Sequence, residues 1–185
     1  MKIAVTSILI AIILALAVSL PTLAQQNSTI TITMTGLDVI SVSLNRTEWT
    51  LGTVAPNTAY ETSPPVQWCT LTVEGTRNVN TFIVGDDAEW ASDPGAYKWT
   101  LSSDGTNGEQ IYGLWFRMSG DTTRGPLGDG YVPITKTQAE FWPYSGGSSL
   151  TPGDTKQFGL RLLTPTYFYS SRQMQTQITI SAVAA

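Results

Sequence analysis

The chain of 185 residues contains no histidine. Histidine is the side chain most often used as a general base near neutral pH, and it is the commonest ligand for transition metals. Its absence excludes serine–histidine and cysteine–histidine catalysis, and the single cysteine is too few ligands for a zinc site. Three groups remain that could do chemistry here: carboxylates, aromatic rings and the backbone of exposed strands.

The first group of carboxylates lies in the segment GDDAEWASDPG. It contains Asp86, Asp87, Glu89 and Asp93. Calcium takes several oxygen ligands from loops of this kind, so these four residues are candidate calcium ligands, although their spacing does not match an EF-hand. Acidic residues in glycine-containing loops are also ordinary solvated turn residues. Both interpretations stay open.

The second group of carboxylates lies in the segment SDGTNGEQ, which contains Asp104 and Glu109. A glycosidase needs two carboxyl groups at a set separation, and these two are the candidate pair. The same residues are typical of a solvated turn. We expect no enzymatic activity and no required cofactor.

Aromatic residues are frequent in the second half of the chain. Rings in YKWTL and IYGLWF lie in predicted strands, and most of them are expected to fill a core. FWPY (residues 141–144) and TYFYSS (residues 166–171) are predicted to be partly exposed. Exposed rings stack on sugars or on another subunit, so Trp142 and Tyr144 are candidate glycan contacts.

Three further positions bear on the environment of the protein. Cys69, in VQWCTLTV, is the only cysteine, so no intrachain disulfide forms; it is predicted to be a buried core thiol, with an intermolecular bridge as the alternative. Asn27 (NST) and Asn45 (NRT) lie in glycosylation sequons. Their occupancy would mark a surface-exposed glycoprotein.

Residues 1–24 are predicted to be a secretory signal peptide. Lys2 precedes an almost wholly apolar run, and PTLA provides a small residue for cleavage after Ala24. The alternative is an uncleaved membrane anchor. Fourteen acidic residues against ten basic ones, without a basic stripe, argue against nucleic-acid binding. We expect a secreted, extracellular or cell-surface protein with no stable membrane anchor after cleavage.

The remaining chain is predicted to be all-β. Short runs rich in Val, Ile, Thr, Tyr and Trp recur between turn residues, which is typical of a single β-sandwich of the Ig-like or jelly-roll kind. The predicted strands are residues 29–35, 38–44, 48–51, 66–74, 79–84, 97–102, 111–118, 131–135, 156–163 and 173–183. The only helical candidate is residues 135–141. Long loops are expected at residues 86–94 and 120–130.

Both ends of the predicted sandwich lack charge. No Lys, Arg, Asp or Glu occurs in residues 25–37 or 173–185. Soluble β-proteins usually protect edge strands with such residues. Residues 25–36, which end in NSTITITMTG (residues 27–36), therefore pair within their own domain or are donated to another subunit. In the second case Ile30, Ile32 and Met34 are the buried donor residues and Gly36 is the hinge before the sandwich of residues 37–185. Exchange of the C-terminal strand is a further alternative.

The layout resembles a known family of exported fibre subunits. A signal peptide and a Thr/Ile strand precede EWTLGTVAPNT, WCTLTVEGTRNVNTFIV and LTPGDTKQFGLRLLTPT, and a short strand follows. This order is similar to the β-sandwich subunits of archaeal bundling pili and the related TasA-type biofilm fibre proteins. The resemblance implies polymerisation of identical subunits by donor-strand complementation from residues 25–36, and bundling of the fibres into an extracellular matrix. The alternative function is a monomeric cell-surface or carbohydrate-binding module.

Overall fold

The computed structural model describes residues 33–143 and 147–185. The chain divides into two units, Met1–Gly36 and Leu37–Ala185. In the first unit, the described residues 33–36 have no regular secondary structure. In the second, every regular element among the described residues is a strand, which confirms the all-β prediction. Among the described residues there is no helix of the length and apolarity needed to cross a membrane.

Twelve strands form two sheets. In chain order they are β1 (Val42–Leu44), β2 (Ala59–Glu61), β3 (Cys69–Val73), β4 (Val79–Gly85), β5 (Ala88–Trp90), β6 (Lys98–Leu101), β7 (Ile111–Met118), β8 (Val132–Pro133), β9 (Ala139–Trp142), β10 (Thr155–Leu163), β11 (Met174–Gln175) and β12 (Ile178–Ala184). The larger sheet has the order β1-β3-β10-β7-β6-β5-β11, with β2 beside β10 and β8 beside β7; the smaller has the order β12-β4-β9. All pairs are antiparallel except β6 with β7.

The core lies between the two sheets because their strands alternate apolar and polar residues. In β3 and β4 every second side chain is buried. Phe141 of the smaller sheet is fully buried and contacts two rings of the larger sheet. Its ring centroid is 5.1 Å from that of Phe116 and 4.9 Å from that of Phe158. Aromatic contacts of this geometry hold the two layers of a β-sandwich-like fold together.

The opposite face of the larger sheet is covered by a loop. Arg161 of β10 lies at the centre of this contact: its guanidinium pairs with Glu61 at 2.6 Å and Asp129 at 2.8 Å, and its Cζ lies 3.7 Å from the ring centroid of Tyr131. These contacts fix the predicted loop of residues 120–130 against β7 and β10. Tyr131 becomes fully buried as a result.

Several local predictions differ from the structure. Residues 29–32 lie outside the described residues, and residues 33–35 and 48–51 are not in strands. The predicted helix at 135–141 is wrong, because the segment turns at Thr137, whose backbone N–H donates to Thr135 Oγ1, and then enters β9 to bury Phe141. The three-residue strands β2 and β5 were not predicted.

Gly105→Ala is expected to lower the free energy of unfolding by about 2–4 kcal/mol. Gly105 has a φ of +86°, and a Cβ there would lie 2.1 Å from the buried Trp115 ring. Gly153→Ala is the matched control, because Gly153 has a φ of +87° with no atom near its Cβ position. It should cost about 1–2 kcal/mol, from backbone strain alone. Urea denaturation measures both, and equal costs would contradict the packing of Trp115 on Gly105.

Candidate functional site

The smaller sheet ends in a long strand with one open edge. β12 pairs with β4 over seven residues, from Ile178 opposite Gly85 to Ala184 opposite Val79. Among the described residues, no strand pairs with its other side. None of its seven side chains is charged. An open edge of this kind presents backbone N–H and C=O groups that can pair with a further strand.

The side chains of β12 lie at the rim of the core. Ile178, Ile180 and Ala182 are half-buried and pack against the core cluster. In the neighbouring β4, Val79 and Ile83 are 0% and 1% exposed. The apolar face of β12 is therefore only partly covered, and an added strand beside it would complete the burial.

The other edge strands are short or carry charges. β1 has three residues, and Ser43 Oγ within it donates to Glu74 Oε1 at 2.5 Å. β9 has four residues, includes the exposed Glu140, and pairs irregularly with β4. β11 has two residues. Short and charged edges resist pairing with another chain, so β12 is the best candidate for a binding edge in the described parts of the chain.

The segment that leads into β1 is exposed. Met34 and Leu37 are 85% and 81% exposed, and residues 33–40 are all classed as exposed. Gly36 has neither a left-handed φ nor an atom within 4 Å of its Cβ position, so no steric demand for glycine is present at the predicted hinge. Ile30 and Ile32, the other predicted donor residues, lie outside the described residues.

One turn, between β3 and β4, anchors both ends of the sandwich unit. The Thr76 N–H donates to Val39 O at 2.8 Å, and Thr76 Oγ1 donates to Leu37 O at 3.2 Å. Two residues further on, Asn78 O accepts from the Ala185 N–H at 3.0 Å, directly after β12. The chain thus leaves this turn as it leads into β1, whereas β12 runs towards the turn.

The four candidate calcium ligands are not brought together. Asp87 is held instead by two lysines, with its carboxylate 2.6 Å from Lys136 Nζ and 3.4 Å from Lys98 Nζ. It also accepts from the Leu101 N–H at 2.9 Å. Within residues 33–143 and 147–185, no three His, Cys, Asp or Glu side chains lie close enough to hold a metal ion. The calcium hypothesis finds no support in this geometry.

The candidate catalytic pair also has a structural role. Asp104 accepts hydrogen bonds from the Thr106 hydroxyl and N–H and from the Ser102 hydroxyl, and these lower its pKa to about 2. An acid of that pKa is ionised at neutral pH and cannot donate a proton there. Glu109 is exposed and forms a backbone bridge with Tyr167. Asp104 therefore stabilises a turn.

The remaining candidate positions have mixed outcomes. Trp142 is half-buried, with Lys156 Nζ 4.1 Å from its ring centroid, so that face of the ring is already covered. Tyr144 and Asn27 lie outside the described residues. Asn45 is exposed, and its Oδ1 accepts from the Thr70 N–H at 2.6 Å. Cys69 is buried as predicted, and burial raises the pKa of its thiol.

No protein-family model matches the chain, and no curated protein matches it.

Asp87→Asn is expected to lower the free energy of unfolding by about 1–2 kcal/mol at pH 7. Burial alone would raise the pKa of Asp87, but the bonds from Lys136, Leu101 and Lys98 outweigh it and lower the pKa. The carboxylate therefore stabilises the fold above about pH 4, and this contribution is lost as the pH falls through the lowered pKa. The free energies of unfolding of wild type and variant should show their full difference at pH 7 and converge below pH 4.

Urea denaturation at pH 7 and at pH 3 measures this difference. Asp93→Asn is the control, because Asp93 is exposed in the same acidic segment. It should change stability by less than about 0.5 kcal/mol. A gap between wild type and Asp87→Asn that did not change with pH would contradict the ion-pair role.

Proposed function

We propose that this chain is a secreted, non-enzymatic structural subunit that polymerises into extracellular fibres by strand donation. Residues 25–36 of one copy would pair with the free edge of β12 in the next. The observation that carries the proposal is the seven-residue, uncharged edge of β12 with its half-buried apolar face. The charge-free sequence of residues 25–37 matches it. A filament of such subunits fits the pilus and biofilm-matrix function that the sequence resemblance implies.

The hydrophobic contribution of the donor is large enough to hold subunits together. Burial of each of Ile30, Ile32 and Met34 would contribute roughly 1.5–3 kcal/mol to the free energy of association. Together they would contribute on the order of 5–9 kcal/mol, before the entropy cost of ordering the donor segment is subtracted. Backbone hydrogen bonds along β12 would add to this. A head-to-tail contact that does not close on itself propagates into a fibre.

A donor from another copy can pair with β12 in the antiparallel direction. Antiparallel pairing is slightly more stable per residue than parallel pairing.

Lysine on the exposed side of β12 is expected to block polymerisation. The double variant Thr179→Lys, Val183→Lys places two charges on exposed positions of the edge strand, where they oppose pairing without entering the core. We expect the amount of sedimentable fibre in the secreted material to fall about tenfold or more, with the subunit still folded. Electron microscopy and sedimentation give the measurement.

The matched control is Thr100→Lys, Thr155→Lys. Both residues are exposed, and they lie in β6 and β10, which have partners on both sides in the larger sheet. This variant should form fibres as the wild type does. Equal loss in both variants would point to a general effect of charge, and fibres from the β12 variant would contradict the proposed edge.

A synthetic peptide should replace the donor. A chain lacking residues 25–36 is expected to be monomeric, and addition of a peptide of residues 25–36 should raise its melting temperature by about 5 °C or more, because the peptide binds only the folded state. A peptide carrying Ile30→Asp and Ile32→Asp is the control and should have no effect. Fibres formed by the truncated chain without peptide would overturn the proposal.

A further inference from the structure

A second surface lies at the far end of the larger sheet, around β5 and β11. Six aromatic side chains meet there, and we call them the aromatic corner: Trp90, Tyr97, Trp99, Tyr167, Phe168 and Tyr169. At its base the buried Trp99 and the half-buried Phe168 stack at a centroid distance of 5.1 Å and an interplanar angle of 11°. Its outer layer is open to solvent, since Tyr167 and Tyr169 are 57% and 59% exposed.

The two exposed rings are held in fixed positions by their backbone. Gln110 Nε2 donates to Tyr167 O at 3.0 Å, and the Tyr169 N–H donates to Tyr97 Oη at 3.2 Å. The rings themselves contact edge to face, with centroids 5.4 Å apart. A surface that is ordered before binding loses less entropy when a ligand arrives.

Backbone strain at Gln110 accompanies this arrangement. Gln110 has a φ of +56°, which a residue with a side chain rarely adopts. In this conformation its amide reaches both Tyr97 Oη, at 2.5 Å, and the Tyr167 carbonyl. Strained backbone of this kind is concentrated at functional sites. Gln110 is thus a positioning residue for the two rings.

Polar groups surround the rings. The Arg172 guanidinium carbon lies 4.1 Å from the ring centroid of Trp90, and Arg172 is exposed. Glu109 forms a backbone bridge with Tyr167 and is exposed as well. Ser170 Oγ, directly after Tyr169, is buried and has no hydrogen-bond partner among the described residues. The corner therefore combines apolar ring surface with hydrogen-bonding groups at its rim.

We propose that the aromatic corner binds a polysaccharide built of pyranose rings. A pyranose presents a face of C–H groups that packs on an aromatic ring, and hydroxyls at its edge that bond to polar side chains. The corner offers both, because three consecutive rings at residues 167–169 are followed directly by Ser170, Ser171, Arg172 and Gln173. Tyr and Arg are also enriched in protein interfaces, and a contact between copies of this chain is the competing outcome in the test below. The two tyrosines would contact the sugar, and Arg172 would bond to its hydroxyl or carboxylate groups.

Capture of the full secreted chain on immobilised polysaccharides tests this proposal. The probes are neutral polymers (β-glucan, α-mannan and xylan) and uronate polymers (alginate and pectate). Retention of the wild type is expected on at least one of them. Tyr167→Ala, Tyr169→Ala should reduce this retention at least tenfold, because both rings are lost while the core beneath them stays buried.

Two variants test the roles of the ring and the charge. Tyr167→Phe, Tyr169→Phe keeps the rings and should retain binding within about threefold. Arg172→Gln should weaken retention more on uronate polymers than on neutral ones. Leu127→Ala is the matched control, since Leu127 is a large apolar side chain that is 71% exposed elsewhere on the surface. It should bind as the wild type does.

Two results would overturn the proposal. One is the absence of wild-type retention on every probe. The other is unchanged retention of the Tyr167→Ala, Tyr169→Ala variant. If that variant kept its retention but lost fibre–fibre association, the corner would be a contact between copies of this chain. The Thr179→Lys, Val183→Lys variant separates this site from strand donation, because it should lose fibres and keep polysaccharide capture.

Discussion

The antiparallel ladder between β4 and β12 is the interaction on which the smaller sheet depends. It supplies one complete edge of β4 and positions Ile178, Ile180 and Ala182 over the core. The same ladder leaves the outer edge of β12 without a strand among the described residues. The three-stranded sheet is therefore least covered at β12, which is also the long, uncharged edge strand among its described residues. The β4–β12 ladder thus both stabilises the smaller sheet and presents the edge that can accept another strand.

Tyr112 connects that ladder to the larger sheet. It is fully buried in β7, and its Oη lies 2.5 Å from Asp86 O and 2.8 Å from Thr176 Oγ1. Asp86 directly follows β4, and Thr176 shortly precedes β12. Burial raises the pKa of Tyr112, so its hydroxyl stays protonated and available to these partners. A strand added beside β12 would therefore extend a sheet that is already fixed to the rest of the fold.

The sequence predicts a strand well where the strand's own pattern of residues determines which side chains are buried. Burial alternates along β3 and β4. The strands predicted at residues 66–74, 79–84, 111–118 and 156–163 overlap β3, β4, β7 and β10. β2 is different: its three residues become a strand through pairing with β10, where Glu61 meets Arg161, a residue 100 positions away. The helix predicted at residues 135–141 fails for the same reason, because the burial of Phe141 against Phe116 and Phe158 outweighs local preference.

The candidate sites divide in the same way, into features that depend on local sequence and features that depend on distant contacts. The partial exposure of residues 166–171 could be read from TYFYSS, since Tyr, Ser and Thr at turn spacing favour a surface position. Other outcomes depend on contacts between distant segments. Lys156 covers Trp142, and Asp87 pairs with Lys98 and Lys136. No pattern within FWPY or GDDAEWASDPG indicates them. The exposure of residues 166–171 could therefore be predicted from the sequence. The full burial of Phe141, in a segment predicted to be partly exposed, could not.

The two proposed surfaces are compatible because they use different groups of adjacent elements. Residues 166–175 contain three rings of the aromatic corner and β11, and β12 begins three residues later. Strand donation would use the backbone edge of β12, whereas the rings of Tyr167 and Tyr169 would stay exposed along a fibre. A repeated array of weak ring–sugar contacts gains affinity through multivalency, without any single tight site. Polysaccharide capture that the single subunit already performs would therefore become tighter once the subunits are joined.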